Sequence, residues 1–177
     1  MSGGKYSTLW SHEKGILNNP STGVAEKVAS VLYVVPSAPF ASGSGTSSSP
    51  YVITSMRHLK NMSASLVVGS EVFFELGADL DMAGHDWEPL NHLEPESHNW
   101  GDSYHINFDG KGHCLKNMHC SHKSYPSFFG VLYGECRNLK FENAKVEVST
   151  TSPGAILGAY VGTKNAPAIV ENCYVTG

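Results

Sequence analysis

The chain has 177 residues, of which 41% are hydrophobic and only 16% are charged, with a net charge of −4. This length and apolar content allow one ordinary domain with a real core, whereas the charged fraction is well below the roughly 25% of a typical soluble domain. The absence of any lysine or arginine cluster argues against a nucleic-acid binder, and the absence of a run of about 18 apolar residues predicts no transmembrane helix.

The ends of the sequence predict a piece of a longer, exported protein. Met1 leads straight into polar residues, so we expect that a natural signal peptide has been removed and Met1 added for expression. Gly177 interrupts a repeating pattern, which predicts a C-terminal continuation of the same polypeptide. We expect an N-terminal extension over residues 1–42 and a β-rich domain over residues 43–177.

The first elements are short. Residues 25–32 could form a helix, but the apolar run at residues 31–35 favours a strand ended by Pro36. Residues 36–50 are rich in Pro, Gly and Ser, which predicts a loop. A strand is expected at residues 50–53, followed by a helix that Thr54 or Ser55 caps. Its apolar face is Met56, Leu59 and Met62.

Strands are next predicted at residues 72–76 and 78–82, and a repeat begins after residue 106. The block at residues 128–134 has the same pattern of apolar residues and glycines as the block at residues 156–162. A second element recurs around Asn117, Asn138 and Asn172. Asparagine tolerates left-handed backbone angles, and its amide can bond to the same residue of a neighbouring repeat.

These repeats predict an all-β fold, a right-handed parallel β-helix (solenoid) with a short N-terminal capping helix. The alternative is an antiparallel β-sandwich. Leu139, Phe141 and either Val146 or Val148 would point inward. The cysteines, Cys114, Cys120, Cys136 and Cys173, are interpreted as small buried hydrophobes, although their even number permits disulfides.

Several motifs resemble a known family of bacterial surface proteins. The segments are residues 43–53, residues 74–84, Trp87-Glu88-Pro89 and Phe108-Asp109-Gly110-Lys111-Gly112-His113. Together with the Gly and Asn elements they resemble proteins that contain GLUG repeats. This resemblance covers residues 43–177 and implies a β-helix similar to pectate lyases. It also implies a secreted or cell-surface protein of gut bacteria, of the kind found in adhesins and beside IgA-specific peptidase domains. It implies no catalytic residues.

Acidic residues form one set of candidates: Asp79, Asp81, Asp86 and Glu88. A pair of carboxylates could serve a polysaccharide-cleaving enzyme, with Arg57 or Arg137 as a base in a lyase. The favoured interpretation is structural, with these carboxylates and Asp109 accepting backbone N–H bonds at turns.

Histidines and cysteines crowd the segment between His113 and His122, which invites a zinc hypothesis. The spacing lacks the paired CxxC or HxxxH pattern of structural zinc sites, so we predict no metal and no cofactor.

Aromatic residues form the other set of candidates. Trp100, Tyr104 and Tyr125 flank loops, and exposed rings can stack on sugars. Trp87 is expected in the core. These features predict a non-catalytic, secreted or cell-surface module that binds glycans or host surface proteins in adhesion. The alternatives are a β-helix polysaccharide lyase or glycoside hydrolase, and a structural stalk or spacer of a larger surface protein.

Overall fold

The chain divides into two compact units, Met1–Ser37 and Ala38–Gly177. The computed structural model describes residues 38–91, 104–148, 152–162 and 167–177, and the backbone of three short strands in the first unit. These strands are β1 (Ser11–Glu13), β2 (Ile16–Asn18) and β3 (Ala25–Glu26), and they form an antiparallel sheet in that order. The strand predicted at residues 31–35 lies outside the described residues.

The regular structure of the second unit is mainly strand, and its described residues contain one short α-helix. Its elements are β4 (Tyr51–Ile53), α1 (Met56–Asn61), β5 (Glu71–Leu76), β6 (Leu80–Asp81), β7 (His105–Asp109), β8 (Cys114–Lys116), β9 (His119–Cys120), β10 (Val131–Arg137), β11 (Lys140–Glu142), β12 (Lys145–Val146), β13 (Tyr160–Val161), β14 (Ala168–Glu171) and β15 (Tyr174–Thr176). A single 3-10 turn, Ser63–Ser65, follows α1. Within the described ranges, no helix is long and apolar enough to cross a membrane.

Local patterns predict several of these elements correctly. The strands expected at residues 50–53 and 72–76 are present, and residues 38–50 hold no helix or named strand. Helix α1 begins after Ser55, whose side chain accepts a hydrogen bond of 3.3 Å from the backbone of His58. Leu59 and Met62 are fully buried, as their spacing predicts. The alternation at residues 78–82 gives only the two-residue strand β6.

Parallel pairing organises the second unit into three sheets. The first sheet has the order β4-β5-β7-β10-β13, and β14 also pairs with β10. The second sheet has the order β6-β8-β11-β15, and the third consists of β9 and β12. Every pair of named strands in these sheets is parallel.

The predicted right-handed parallel β-helix is therefore wrong. The strands form separate sheets in a mixed arrangement, antiparallel in the first unit and parallel in the second, and no closure into a solenoid is found over the described residues. The repeats misled because they record which segments lie side by side: the N–H groups of Phe128 and Phe129 donate to the carbonyls of Ile156 and Leu157, as the spacing of the two blocks requires. In-register parallel strands repeat the same apolar positions whether or not the chain closes into coils. The parallel pairs also exclude the antiparallel sandwich for this unit.

Register stacks apolar side chains into columns beneath the sheets. Phe74, Phe108 and Cys136 are paired in sequence across the first sheet, and all three are buried. The predicted inward positions are largely confirmed, because Leu139 and Phe141 are buried and Val146 packs against the core. Val148 is 56% exposed, so of the two alternatives it is Val146 that points inward.

Phe128 lies at the centre of this core. Its ring stacks on Trp87 at 5.1 Å and meets Phe108, Phe129 and Phe141 edge to face at 4.7 to 5.7 Å. The Trp87 indole donates a 2.9 Å hydrogen bond to the backbone carbonyl of Phe128. Trp87 is thus a core residue, as the sequence predicts.

Asparagine turns follow the strands and connect neighbouring repeats. Asn117, Asn138 and Asn172 all have left-handed φ angles between 52° and 54°, as predicted. The amide of Asn172 donates to that of Asn138 at 3.3 Å. The other two donate to aspartates of the preceding strand, Asn117 to Asp81 at 2.9 Å and Asn138 to Asp109 at 3.0 Å. Each turn is therefore tied to the strand layer before it.

The position of Phe128 yields a stability prediction. Phe128→Ala is expected to lower the free energy of unfolding by about 3–5 kcal/mol, because it leaves a cavity among four packed rings. Urea denaturation followed by circular dichroism measures this loss. Val148→Ala is the control and should change stability by less than about 0.5 kcal/mol, because Val148 is exposed. Equal effects of the two substitutions would contradict a core centred on Phe128.

Candidate functional site

Three of the four acidic candidates are divided between two grooves, and the fourth lines neither. Asp79 lines an open groove of about 480 Å³ on the outer face of the second sheet, which we call the sheet groove. Asp81 is exposed on the neighbouring strand β6. Asp86 and Glu88 line a second groove of about 350 Å³ beside Trp87, which we call the Trp87 groove. The structure therefore does not gather all four residues in one acidic cleft.

Asp79 and Asp81 hold neighbouring strands and turns together. Asp79 accepts hydrogen bonds from the backbone of Cys114 at 3.1 Å and from the His113 ring at 3.0 Å. Asp81 accepts from the Asn117 amide and from the backbone of Ala83, both at 2.9 Å. These bonds stabilise the charged carboxylates. The Cys114 N–H and then His113 lower the pKa of Asp79, and Asn117 and then Ala83 lower the pKa of Asp81.

Asp86 has a similar role at the third sheet. It accepts a 2.6 Å hydrogen bond from the Ser121 hydroxyl, which is the main reason that its pKa is lowered. It also pairs with Nδ1 of His119 at 2.9 Å, and Nε2 of the same ring lies 3.4 Å from Glu147. His119 thus connects Asp86 to a carboxylate that follows β12.

Carboxylates with these partners suit structural roles. A general acid at neutral pH needs a raised pKa, whereas the pKa values of Asp79, Asp81 and Asp86 are all lowered. Asp79, Asp86 and Asp109 each accept a hydrogen bond from a backbone N–H, as does Asp81. The sequence-based expectation that these aspartates accept backbone N–H bonds is confirmed.

The arginines offered as bases are occupied as well. Arg137 pairs with Glu135 at 2.9 Å and also with Glu171. Arg57 donates to the carbonyl of Ala38 at 2.9 Å. The two glutamates that hold the Arg137 guanidinium lie outside both grooves.

The aromatic candidates lie in different environments. Trp100 falls outside the described residues. Tyr104 is half-buried and packs against the core, and Tyr125 is only 5% exposed, with its ring 5.0 Å from that of Tyr160. Tyr125 therefore does not project from a loop. A role of these three residues in ligand binding stays a prediction.

The histidines and cysteines of the zinc hypothesis are dispersed. Cys114 and Cys120 are buried, whereas His113 and His119 face outward and pair with Asp79 and Asp86. His122 bonds to the carbonyl of Ser124 at 2.7 Å. Over the described part of the chain, no three His, Cys, Asp or Glu side chains are grouped so that they could hold a metal ion.

The sheet groove contains exposed polar and aromatic residues that the sequence analysis did not single out. Lys140 pairs in register with Tyr174, and Glu142 pairs with Thr176, so these side chains share the outer face of the second sheet. Lys116 joins them opposite Glu142, and the Tyr174 ring is 56% exposed. The residues between them, Phe141 and Leu115, are buried on the other face.

This groove combines an exposed ring with hydrogen-bonding groups of both kinds. Tyrosine rings stack on the apolar faces of sugars, while ammonium and carboxylate groups bond to hydroxyls. The signal was present in the sequence: Lys140-Phe141-Glu142 and Tyr174-Val175-Thr176 both alternate directly after an asparagine turn. Residues at every second position of a strand share one face. Alignment of the two segments therefore places Lys140 beside Tyr174 and Glu142 beside Thr176 on the same face.

Comparison with known proteins gives one informative similarity. No family model and no curated protein matches the chain. A solved structure from Bacteroides ovatus, named a putative immunoglobulin A1 protease, is 42% identical with a TM-score of 0.70. The match covers 79% of this chain and 41% of that one, so this chain spans about two fifths of the solved protein. The resemblance to GLUG-repeat proteins stays a prediction.

Asp79 yields a prediction about pH. Because its pKa is lowered from 3.8 in the folded state, its contribution to stability is present above 3.8 and is lost as the pH falls through the folded pKa. Asp79→Asn should lower the free energy of unfolding at pH 7 by roughly 0.5–1 kcal/mol, since the carboxylate is exposed and screened.

Urea midpoints at pH 7 and near pH 2 measure this effect. The variant and the parent chain should converge at the acidic end, where the carboxylate of the parent is protonated. A difference that stays constant over the whole pH range would show that the charge of Asp79 is not what stabilises the bond to Cys114.

Proposed function

We propose that this chain is a non-catalytic binding module of a secreted or cell-surface bacterial protein, and that its ligands are glycans or host glycoproteins. The observation that carries the proposal is that the polar residues fall into two groups, one that bonds to the backbone and side chains of neighbouring strands and one that is exposed in a groove. Asp79, Asp81 and Asp86 hold strands and turns, whereas Tyr174, Lys116 and Lys140 stand on the open face of the sheet groove.

The sheet groove suits an extended, hydroxyl-rich ligand. Its strands are in parallel register, so each strand adds a similar row of outward side chains at about 4.8 Å intervals. Tyr174 supplies a ring, and Lys140 beside it supplies an ammonium donor. An open groove with one exposed ring and several hydrogen-bonding groups suits modest, repeated contacts with a glycan chain.

The similar solved structure suggests a first host protein to test. Because that protein is named a putative immunoglobulin A1 protease, immunoglobulin A1, which carries glycans, is a natural candidate ligand for this chain. Under this proposal the present chain contributes binding, and any cleavage belongs to other parts of a longer protein.

The polysaccharide lyase alternative has less support. A lyase needs a base next to a sugar-binding acidic site. Arg137 is instead paired with Glu135 and Glu171, and the acidic candidates are not gathered in one groove. The stalk or spacer alternative remains as an outcome of the same experiment.

The experiment measures binding and cleavage together. The purified chain is applied to a glycan array and to immunoglobulin A1 with its glycans intact or enzymatically removed, and every bound partner is then examined for fragments. We expect binding that depends on the glycans, with no new fragments. Fragments would overturn the non-catalytic proposal, and a lack of all binding would favour the spacer.

A substitution then locates the binding face. Tyr174→Ala should weaken binding about tenfold, because a stacked ring contributes on the order of 1 kcal/mol or more. Tyr160→Ala is the matched control, since Tyr160 is 50% exposed but lies on β13, away from the sheet groove. Equal losses in both variants would contradict the assignment to the sheet groove.

A further inference from the structure

Two cysteines from successive strand layers meet at one edge of the core. The Sγ atoms of Cys136, in β10, and Cys173, in the turn between β14 and β15, lie 3.8 Å apart. Both thiols are free in the structure. Cys114 and Cys120 are also free and buried.

The backbones on both sides of the pair are fixed by hydrogen bonds. The N–H of Asn138 donates to the carbonyl of Glu171 at 3.0 Å, and the N–H of Tyr174 donates to the carbonyl of Leu139 at 2.9 Å. The Asn172 amide reaches Asn138 across the same gap. The two sulfurs are thus held in proximity by three bonds that flank them, and are not brought together by chance side-chain positions.

We propose that Cys136 and Cys173 form a disulfide that links β10 to the turn after β14 when the protein meets a small-molecule disulfide oxidant. A disulfide requires the sulfurs to approach from 3.8 Å to about 2.05 Å. This inference is independent of the proposed ligand-binding function.

The reaction proceeds by two exchanges. The Cys173 thiolate attacks one sulfur of the oxidant, forms a mixed disulfide and releases one thiolate of the oxidant, which takes up a proton. The sulfur of Cys136 loses its proton to solvent and attacks the Cys173 sulfur, and the second thiolate of the oxidant leaves and is protonated. The two cysteines lose two electrons and two protons, and the oxidant is reduced to two thiols.

The order of attack follows from exposure. Cys136 is fully buried, whereas Cys173 is only partly buried, so the oxidant reaches Cys173 first. The hydrogen bond between the two sulfurs raises the pKa of Cys136, as does its burial. The same bond lowers the pKa of Cys173, which favours its thiolate.

The cross-link would secure the least protected part of the second unit. The two cysteines are 37 residues apart, and the enclosed segment contains the edge strands β13 and β14. Ile169 and Val170 of β14 are 44% and 45% exposed, so the side chains of this strand bury little apolar surface. A covalent bond restricts the unfolded chain and would hold the strand against β10.

The test uses the whole chain and oxidised glutathione as the probe. The protein is incubated with excess oxidant, alkylated and digested without reduction. We expect one cross-linked peptide pair that contains Cys136 and Cys173, and a fall in free thiols from the four of the reduced chain to two. The Tm should rise by roughly 5–10 °C and return on reduction.

Variants separate the roles of the two sulfurs. Cys136→Ala should leave Cys173 trapped as the mixed glutathione disulfide, and Cys173→Ser should form neither the cross-link nor that adduct. Cys120→Ala is the matched control, a buried cysteine outside the pair, and should still form the cross-link. Should Cys136→Ala fail to fold, Cys173→Ser still decides, because its residue is partly exposed.

Two results would overturn the proposal. One is a cross-link that contains Cys114 or Cys120 in the folded parent chain. The other is a count of four thiols after prolonged oxidation, with a far-ultraviolet circular dichroism spectrum that shows the chain to be folded.

Discussion

In-register parallel pairing is the constraint on which the second unit depends. The register places apolar residues of neighbouring strands directly opposite one another. One buried column consists of Phe74, Phe108 and Cys136, and a second consists of Leu80, Leu115 and Phe141. A slip by one residue would turn every column outward and bring charged residues such as Lys140 and Glu142 into the core. Hydrophobic burial and register therefore enforce each other, and the short strands need this support because few of them exceed five residues.

The same register explains why polar residues form rows as well. Asp81, Lys116 and Glu142 occupy paired positions of consecutive strands, and the Lys116 ammonium lies 3.8 Å from Asp79, which precedes the first of these strands. Such rows have two consequences that work against each other. They stabilise the charged forms of Asp79 and Asp81, which makes these two carboxylates unsuitable as proton donors, and they create a continuous polar face that a long ligand can follow. The binding proposal rests on the second consequence and the weak case for catalysis rests on the first.

The sequence predicts local features well and the arrangement of sheets poorly. Ser55 as a helix cap, Trp87 as a core residue and the left-handed asparagines follow from short-range rules, since a cap, a turn or an alternating strand depends on a few neighbouring residues. The closed solenoid was inferred from the recurrence of the block at residues 128–134 in residues 156–162, and recurrence reports which strands pair but not how sheets are arranged. In the candidate site, Asp79 was identified from its charge. Tyr174 was missed because its exposure depends on strands more than thirty residues away in sequence.

The asparagine turns have a direction. Asp81 and Asp109 each use one oxygen to accept both from the backbone two residues on and from the asparagine of the next strand layer. Asn138 then donates toward Asp109 and accepts from Asn172. A carboxylate fits only the first position of such a row, because it can accept a hydrogen bond but has no proton to donate to the preceding layer. An amide both donates and accepts, so it fits every later position. If one repeat of this chain were duplicated, an asparagine could keep its role in the new copy, whereas an aspartate would have to be replaced. Deamidation of Asn138 would place a second carboxylate beside Asp109. The hydrogen bonds of this row all run in one direction, so deamidation or substitution of one asparagine removes the bond to the residue in the preceding strand layer.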